Sequence, residues 1–374
     1  MTSESPRGPL PAERRAHLLD VLDRDGVVRV ADLTTELDVT AVTVRRDIAR
    51  LEREGRLTRV HGGAVTSGPG PASRLTDRGS DDDGAPTRRT VPHAATIGVL
   101  APSLDYYWPG VVRGMEAEAR RHGLRIMLRG SSYHTADERP ALRHLVEVDG
   151  VRGLICAPRM DSPTAGDVVD WLAVSGVPHV LVEREATHGP YRAPLEAVVS
   201  DHAAGALVAV HHLAGLGHRR VGLVLSRESP TSRKIAAGWR AACHELGLKH
   251  FERLAPDRNR PEFSNVVDEV VDTALTSGVT GLLVHSDPEA SGVAQRAMDR
   301  GLSVPGDLSI VAYDDEVANL FSPAMTAVRP PRDAVGHAAV DLLVKRLADP
   351  ARPGHRTAIS PRLMVRESTG PVRR

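Results

Sequence analysis

The chain has 374 residues and a mass of 40.1 kDa, enough for two or three domains of ordinary size. Lys plus Arg number 48 and Asp plus Glu number 48, so any affinity for nucleic acid must rest on local rather than overall charge. Hydrophobic residues at 41%, charged residues at 26% and a mean hydropathy of -0.23 exclude wholesale disorder.

The opening MTSESPRGPLPAERR lacks the apolar core of a signal peptide, and no apolar run approaches the roughly 20 residues that span a bilayer. A cytoplasmic location without membrane partners is therefore expected. Residues 12–22 carry Ala16, Leu19 and Leu22 at helical spacing and stop at Asp25-Gly26; residues 30–37 form a second short helix. Thr40 is a suitable N-cap for a third helix that runs through AVTVRRDIARLERE to Gly55. RLTRVHGGAV follows as a β-ribbon turning at His61-Gly62-Gly63. Three helices and a ribbon predict a winged helix-turn-helix domain over residues 11–65.

On a 100° wheel Val44, Ile48 and Leu51 share one stripe of the third helix and must pack inward. The opposite face then carries Arg46, Arg50 and Arg53, flanked by Thr43 and Arg45. Residues 11–39 hold four Arg against seven acids, whereas residues 40–65 hold six Arg against three, so the basic side is this helix and the ribbon. A charge run is commonly just a solvated face, but helix order, Thr cap and basic ribbon together favour a surface that reads duplex DNA. Arg can bond guanine O6 and N7 or clamp a phosphate, and Thr can touch phosphate or a thymine methyl. Thr40, Thr43, Arg45, Arg46, Arg50, Arg53, Arg59 and His61 are the candidate DNA contacts, with Asp47 expected to orient an Arg instead.

The segment LTTELDVTAVTVRRDIARLEREGRLTRVHGGAV resembles the N-terminal domain of DeoR-type bacterial repressors over residues 13–65. The resemblance rests on Thr40, Thr43, Arg45, Arg46, Asp47 and the closing Arg-Val-His-Gly-Gly at 59–63.

Residues 66–92 contain four Gly, four Pro, three Ser and four Asp, 15 of 27 positions, and read as a flexible linker. Asp81, Asp82 and Asp83 there are expected to be solvating charge, not a metal site. Beyond them, strand and helix alternate: TIGVLA, helix 110–122, RIML, helix 136–148, GLICA, helix 166–175, HVLV, then AVVS, helix 202–216, RVGLVL, helix 234–246, helix 263–277, GLLVH, helix 288–300 and LSIVAY. Repeated βα units predict parallel sheets covered on both faces, and their number predicts two α/β lobes over residues 93–370. Cys156 and Cys243 sit in apolar patterns and read as buried structural thiols; no cofactor or metal is expected.

In open α/β sheets ligands bind beyond the carboxyl ends of strands. Tyr106, Tyr107 and Trp108 fall together after the first such strand, where aromatic faces could stack on a sugar or merely plug the lobe. Other strand ends supply Asp161, Arg233, Ser286-Asp287 and Asp314-Asp315; for Asp201 and Asp315 the helix N-cap is the preferred role.

Residues 96–370 resemble the sensor domain of LacI/GalR repressors and of periplasmic sugar-binding proteins, through IGVLAP, VVRGMEAEARRHG, VVSDHAAGALVAVHHLAGLGHRRVGLV, VPGDLSIVAYDD, SPAMTAVRPP and LMVRESTG. The resemblance implies a type I periplasmic-binding-protein-like fold. It makes Tyr107 and Trp108 stacking positions, Asp161, Arg233, Phe263, Ser286 and Asp314 effector contacts, and Trp239 a packing residue. Pro330 replaces a Gln common in that family, and the family's own head and hinge helix are replaced by the DeoR-like head and the Gly/Pro linker. The expected protein is a homodimeric repressor that binds an operator and a small carbohydrate-like effector. A sugar-processing enzyme or an effector-independent regulator is the alternative, but the phosphate-loop, Gly-x-Ser-x-Gly and His-Glu-x-x-His motifs are absent.

Overall fold

The computed structural model describes residues 11–25, 27–37, 39–53, 56–60, 63–66, 95–132, 135–256 and 260–373. The chain divides into two compact units, Met1–Arg89 and Thr90–Arg374. Residues 67–92 of the expected linker lie outside the described residues.

In the first unit α1 (Pro11–Asp25), α2 (Val30–Leu37) and α3 (Ala41–Arg53) enclose Leu18, Leu22, Leu33, Val44, Ile48 and Leu51, all buried. The inward stripe expected of α3 is thus the one that packs. Thr40 caps α3: its hydroxyl accepts the Thr43 backbone N–H at 3.3 Å. β2 (Leu57–Val60) and β3 (Gly63–Thr66) form the ribbon, with Thr58 opposite Val65. β1 (Val27–Arg29) adds a third antiparallel strand, Val28 opposite Ala64; three residues are too few to show a period in the sequence. This is a winged helix-turn-helix.

The second unit begins with a first lobe: β4 (Thr96–Ala101), α4 (Trp108–Arg121), β5 (Arg125–Gly130), α5 (Arg139–Glu147), β6 (Leu154–Cys156), α6 (Ala165–Val174) and β7 (His179–Val182). A small hairpin, β8 (Thr187–His188) and β9 (Ala193–Pro194), leads to β10 (Ala197–Ser200). α4 and α5 differ by up to three residues from expectation because Pro109 and Pro140 fit only in a first helical turn.

The chain then enters a second lobe: α7 (His202–Gly215), β11 (Arg220–Ser226), α8 (Ser232–Glu245), β12 (Lys249–Ala255), α9 (Glu262–Ser277), β13 (Gly281–His285), α10 (Asp287–Asp299), β14 (Ser309–Tyr313) and β15 (Thr326–Arg329). It returns to the first lobe for α11 (Arg332–Ala348) and β16 (Arg356–Ile359), and ends in the second with β17 (Arg362–Met364). The first sheet has the order β16-β10-β7-β6-β4-β5 and is parallel throughout. The second, β12-β11-β13-β14-β15-β17, is parallel except for its last strand.

Three passages therefore join the lobes, and two of them are bonded: the Asp201 N–H donates to the Ile359 carbonyl at 2.9 Å. Both sheets are covered on both faces, so β10, β13 and β14 are buried along their whole length. Cys156, Cys243 and Trp239 are fully buried, as expected of packing residues. No helix among the described residues is long and apolar enough to cross a membrane.

Glycines set the closest helix contacts. A Cβ on Gly114 of α4 would stand 2.2 Å from the Asp333 carbonyl oxygen of α11, and one on Gly336 of α11 would stand 2.1 Å from that of Val111. Gly114→Ala should cost about 1–3 kcal/mol because backbone must move. Gly166→Ala, on α6 with nothing within 4 Å, should be neutral to stabilising by less than about 1 kcal/mol. Thermal unfolding of the two variants checks this; equal melting temperatures would overturn it.

Candidate functional site

The carboxyl ends of both sheets face one cleft, and a cavity of about 860 Å³ lies there. This is the size of a small-molecule site. Tyr106, Tyr107 and Trp108 reach it from the end of β4, Arg159 and Asp161 from β6, and Glu183 and Arg184 from β7. The second lobe contributes Arg227 and Arg233 after β11, His285 and Ser286 at β13, and Asp314 after β14.

Six of the seven expected effector contacts line this cavity: Tyr107, Trp108, Asp161, Arg233, Ser286 and Asp314. Phe263 is the exception: it is not among the residues that line the cavity. It occupies the second position of α9, packs on the second lobe's core and sits against Gly292 of α10. Trp108 is 2% exposed and anchors the first lobe's core, with its ring edge-on to Tyr107 at 5.8 Å. The Arg332 guanidinium lies over the Tyr107 ring at 5.8 Å. Asp161 stands at the rim, paired with Arg159 at 2.9 Å. Arg233 is exposed on the first turn of α8.

The floor is a buried polar chain that crosses between the lobes. The Tyr107 hydroxyl donates to Glu183 Oε1 at 2.5 Å, and the Ser200 hydroxyl to the same oxygen at 2.6 Å. The Ser200 N–H donates to Glu183 Oε2 at 3.1 Å, and His202 Nε2 lies 3.4 Å from it. His202 Nδ1 meets the Tyr313 hydroxyl at 3.1 Å. The Tyr313 ring packs edge-on against His285, whose Nε2 lies 3.7 Å from Asp314 Oδ2.

These environments divide the titratable groups. Burial alone would raise the Glu183 carboxyl, but His202 and the Ser200 and Tyr107 hydroxyls outweigh it and hold the pKa at about 2. Burial, with His202 nearby, lowers His285 to about 3. Burial and the neighbouring Asp287 push Asp314 well above the carboxylate range. His285 is therefore neutral at pH 7, and the charged form of Asp314 is disfavoured.

Tyr106, Glu183 and Asp314 have φ of 55°, 56° and 99°, left-handed values that non-glycine residues rarely adopt. The Asp314 turn is held by Asp287, whose carboxylate accepts the backbone N–H groups of Asp315, Glu316 and Val317 at 3.0, 2.7 and 3.0 Å. Asp201 caps α7 as expected, accepting the Ala204 N–H at 2.9 Å. Asp315 does not cap a helix: it is buried between Arg329 at 2.6 Å and Arg366 at 2.8 Å, because no α-helix starts there. Glu183, Arg184, His202 and His285 escape the sequence reading, although Glu183-Arg184 follows HVLV at a strand end.

On the first unit, Thr40, Arg46 and Arg50 are exposed and Thr43 is half-buried. Asp47 is turned inward and pairs with Arg14 at 2.9 Å and Arg15 at 3.7 Å, so it ties α3 to α1. Arg45 and Arg53 lie on α3 and Arg59 on β2; His61 lies outside the described residues.

A wing-bearing helix-turn-helix unit followed by a two-lobed α/β clamp defines a class of protein that couples a DNA-reading head to a ligand sensor. Residues 14–68 match the DeoR-like helix-turn-helix domain, and residues 210–369 the periplasmic binding protein-like domain. An uncharacterised HTH-type transcriptional regulator from the aml 5' region of Streptomyces limosus is 31% identical over 365 residues, covering 92% of this chain and 96% of that protein. A LacI transcriptional regulator from a Rhodococcus species is 26% identical with a TM-score of 0.61, covering 74% of this chain and 99% of that one. A LacI family regulator from Enterococcus faecium, solved with bound ribose, shares the fold at 24% identity and a TM-score of 0.60, over 74% of this chain and 100% of that one. The chain belongs to the HTH-type transcriptional regulators, with a DeoR-like head on a LacI-type sensor body.

The two depressed pKa values set an acid limb of stability. Unfolded His285 takes a proton below its ordinary value of 6.5 that the folded protein refuses until about 3, so stability falls as pH drops through that window. Glu183 contributes stability above its ordinary value of 4.5, lost as pH falls towards about 2. Between pH 7 and 4.5 His285→Phe should remove about 2–3 kcal/mol of the wild-type stability loss. Urea unfolding at both pH values checks this; parallel losses in wild type and variant would refute it.

Proposed function

We propose that this regulator is a repressor whose operator affinity is set by a small carbohydrate-like effector held between the lobes of a homodimer. Residues 11–65 read DNA, 66–92 connect, and 93–370 sense and dimerise. The observation that carries the reading is the cavity of about 860 Å³ at the strand ends of both lobes, with convergent polar groups and an aromatic wall. The ribose held by the Enterococcus faecium regulator of the same fold supports a carbohydrate.

Tyr107 and Trp108 shape the first-lobe wall, and Asp161, Arg233, Ser286 and Asp314 bond the ligand. On the head, Thr40, Thr43, Arg45, Arg46, Arg50, Arg53, Arg59 and His61 contact the duplex. Phosphate contacts fix register, and Arg in the groove supplies discrimination. One head reads few base pairs, so two on a dimer supply the effective concentration for a repeated or palindromic operator in the cytoplasm. Ligand bound more tightly by one lobe arrangement shifts the population of head spacings, with a coupling of roughly 1–3 kcal/mol.

Arg46→Ala should weaken binding to DNA selected by the wild-type protein roughly 10- to 100-fold while leaving ligand-induced thermal stabilisation unchanged. Arg233→Ala should keep DNA affinity and lose the ligand response. Gel shifts over a salt series, with and without sugar, read both. Equal loss of both functions in either variant would overturn this division of roles.

A further inference from the structure

The cavity wall offers a ligand mostly donors. Of its carboxyl groups, Asp161 is engaged by Arg159, and Glu289 accepts the Ser286 N–H at 3.1 Å and its hydroxyl at 2.5 Å. Glu183 is surrounded by Tyr107, Ser200 and His202. Asp314 is buried with His285 Nε2 3.7 Å away, and burial and the neighbouring Asp287 disfavour its charged form. Glu228 is exposed.

The guanidinium groups are differently placed. Arg184 is 7% exposed, yet among the described residues no carboxylate lies within 4 Å of it. Its bonds go to two carbonyls instead, from Nε to Pro158 at 3.1 Å and from Nη1 to Glu183 at 2.8 Å. A buried cation without a counter-ion is costly unless something supplies one. Arg227, Arg233 and Arg260 also line the cavity, from the second lobe, and make no ion pair among the described residues. A sugar hydroxyl both donates and accepts, so a wall rich in donors suits it poorly; a carboxylate or phosphate only accepts, and guanidinium recognises it best.

Resting on the carbohydrate reading above, we infer that the effector is an anionic carbohydrate, a sugar acid or a sugar phosphate, whose charged group is the counter-ion of Arg184. The second-lobe arginines supply its further donors. Cations of both lobes then meet on one anion, which gives the ligand a direct grip on lobe closure.

Calorimetric titration of the full chain tests this with matched probes: glucose against glucuronate and glucose 6-phosphate, galactose against galacturonate, and ribose against ribose 5-phosphate. At least one anion should bind about tenfold or more tightly than its neutral parent, with affinity falling as salt rises. Whether the carboxylate or the phosphate arm responds identifies the source of the charge. Arg184→Met should weaken that anion about tenfold and leave the empty protein's melting temperature equal or higher, since a buried unpaired cation is removed. Should that variant fail to fold, the exposed pair Arg227→Gln and Arg260→Gln should give a smaller loss in the same direction. A neutral parent binding as tightly as its acid or phosphate would overturn the inference and leave the carbohydrate reading standing. Binding of no member of the panel would overturn both, and anion binding indifferent to all these substitutions would overturn the assignment to Arg184.

Discussion

The Glu183 carboxylate is charged and buried, and the cleft is organised around keeping it so. Removing a carboxylate from water costs several kcal/mol unless hydrogen bonds replace the lost hydration. Here the replacements come from different parts of the second unit: Tyr107 after β4, Ser200 at the end of β10, and His202 at the start of α7. His202, already in the second lobe, in turn meets Tyr313 of β14 there. A single buried charge thus fixes where the first passage between the lobes runs and which strand ends face each other. The left-handed φ of Glu183 itself is sustained by the same bonds.

That arrangement explains why the polar chain carries so little free acceptor capacity. Each donor that stabilises Glu183 also occupies one of its oxygens, and burial disfavours the charged forms of His285 and Asp314 further along the chain. The guanidinium of Arg184, next in sequence, points its bonds at carbonyls rather than at its neighbour's carboxylate. A carboxylate held by hydroxyls and a buried cation held by carbonyls are thus adjacent in the chain.

Much of this was legible in the sequence wherever a local pattern has one physical outcome. The α3 stripe of Val44, Ile48 and Leu51, the Thr40 cap and the Asp201 cap depend only on helix period and on orphan N–H groups, and they appear as expected. Alternating βα units likewise specify parallel sheets. What sequence does not reveal is the direction a charged side chain takes. Asp315 and Asp161 both follow a strand, yet one is buried between two arginines and the other stands at the rim. Phe263 has the composition of a stacking residue, but a position in the first turn of α9 sets its ring against α10. Glu183-Arg184 after HVLV looks like any solvated pair until the partners from β10 and α7 are in place.

The head obeys the same economy of charge. Asp47 is an acid in the middle of an arginine-rich helix, and left outward it would offset the positive charge of the exposed Arg46 beside it. Pairing with Arg14 and Arg15 turns it inward, 7% exposed, so the acid strengthens the α1–α3 contact instead of weakening the field of the reading face. In both units, then, a carboxylate is withdrawn into structural bonds, Asp47 in the head and Glu183 in the cleft. For a regulator whose total charge is zero, such local sorting is how positive potential can build up at particular places on one chain.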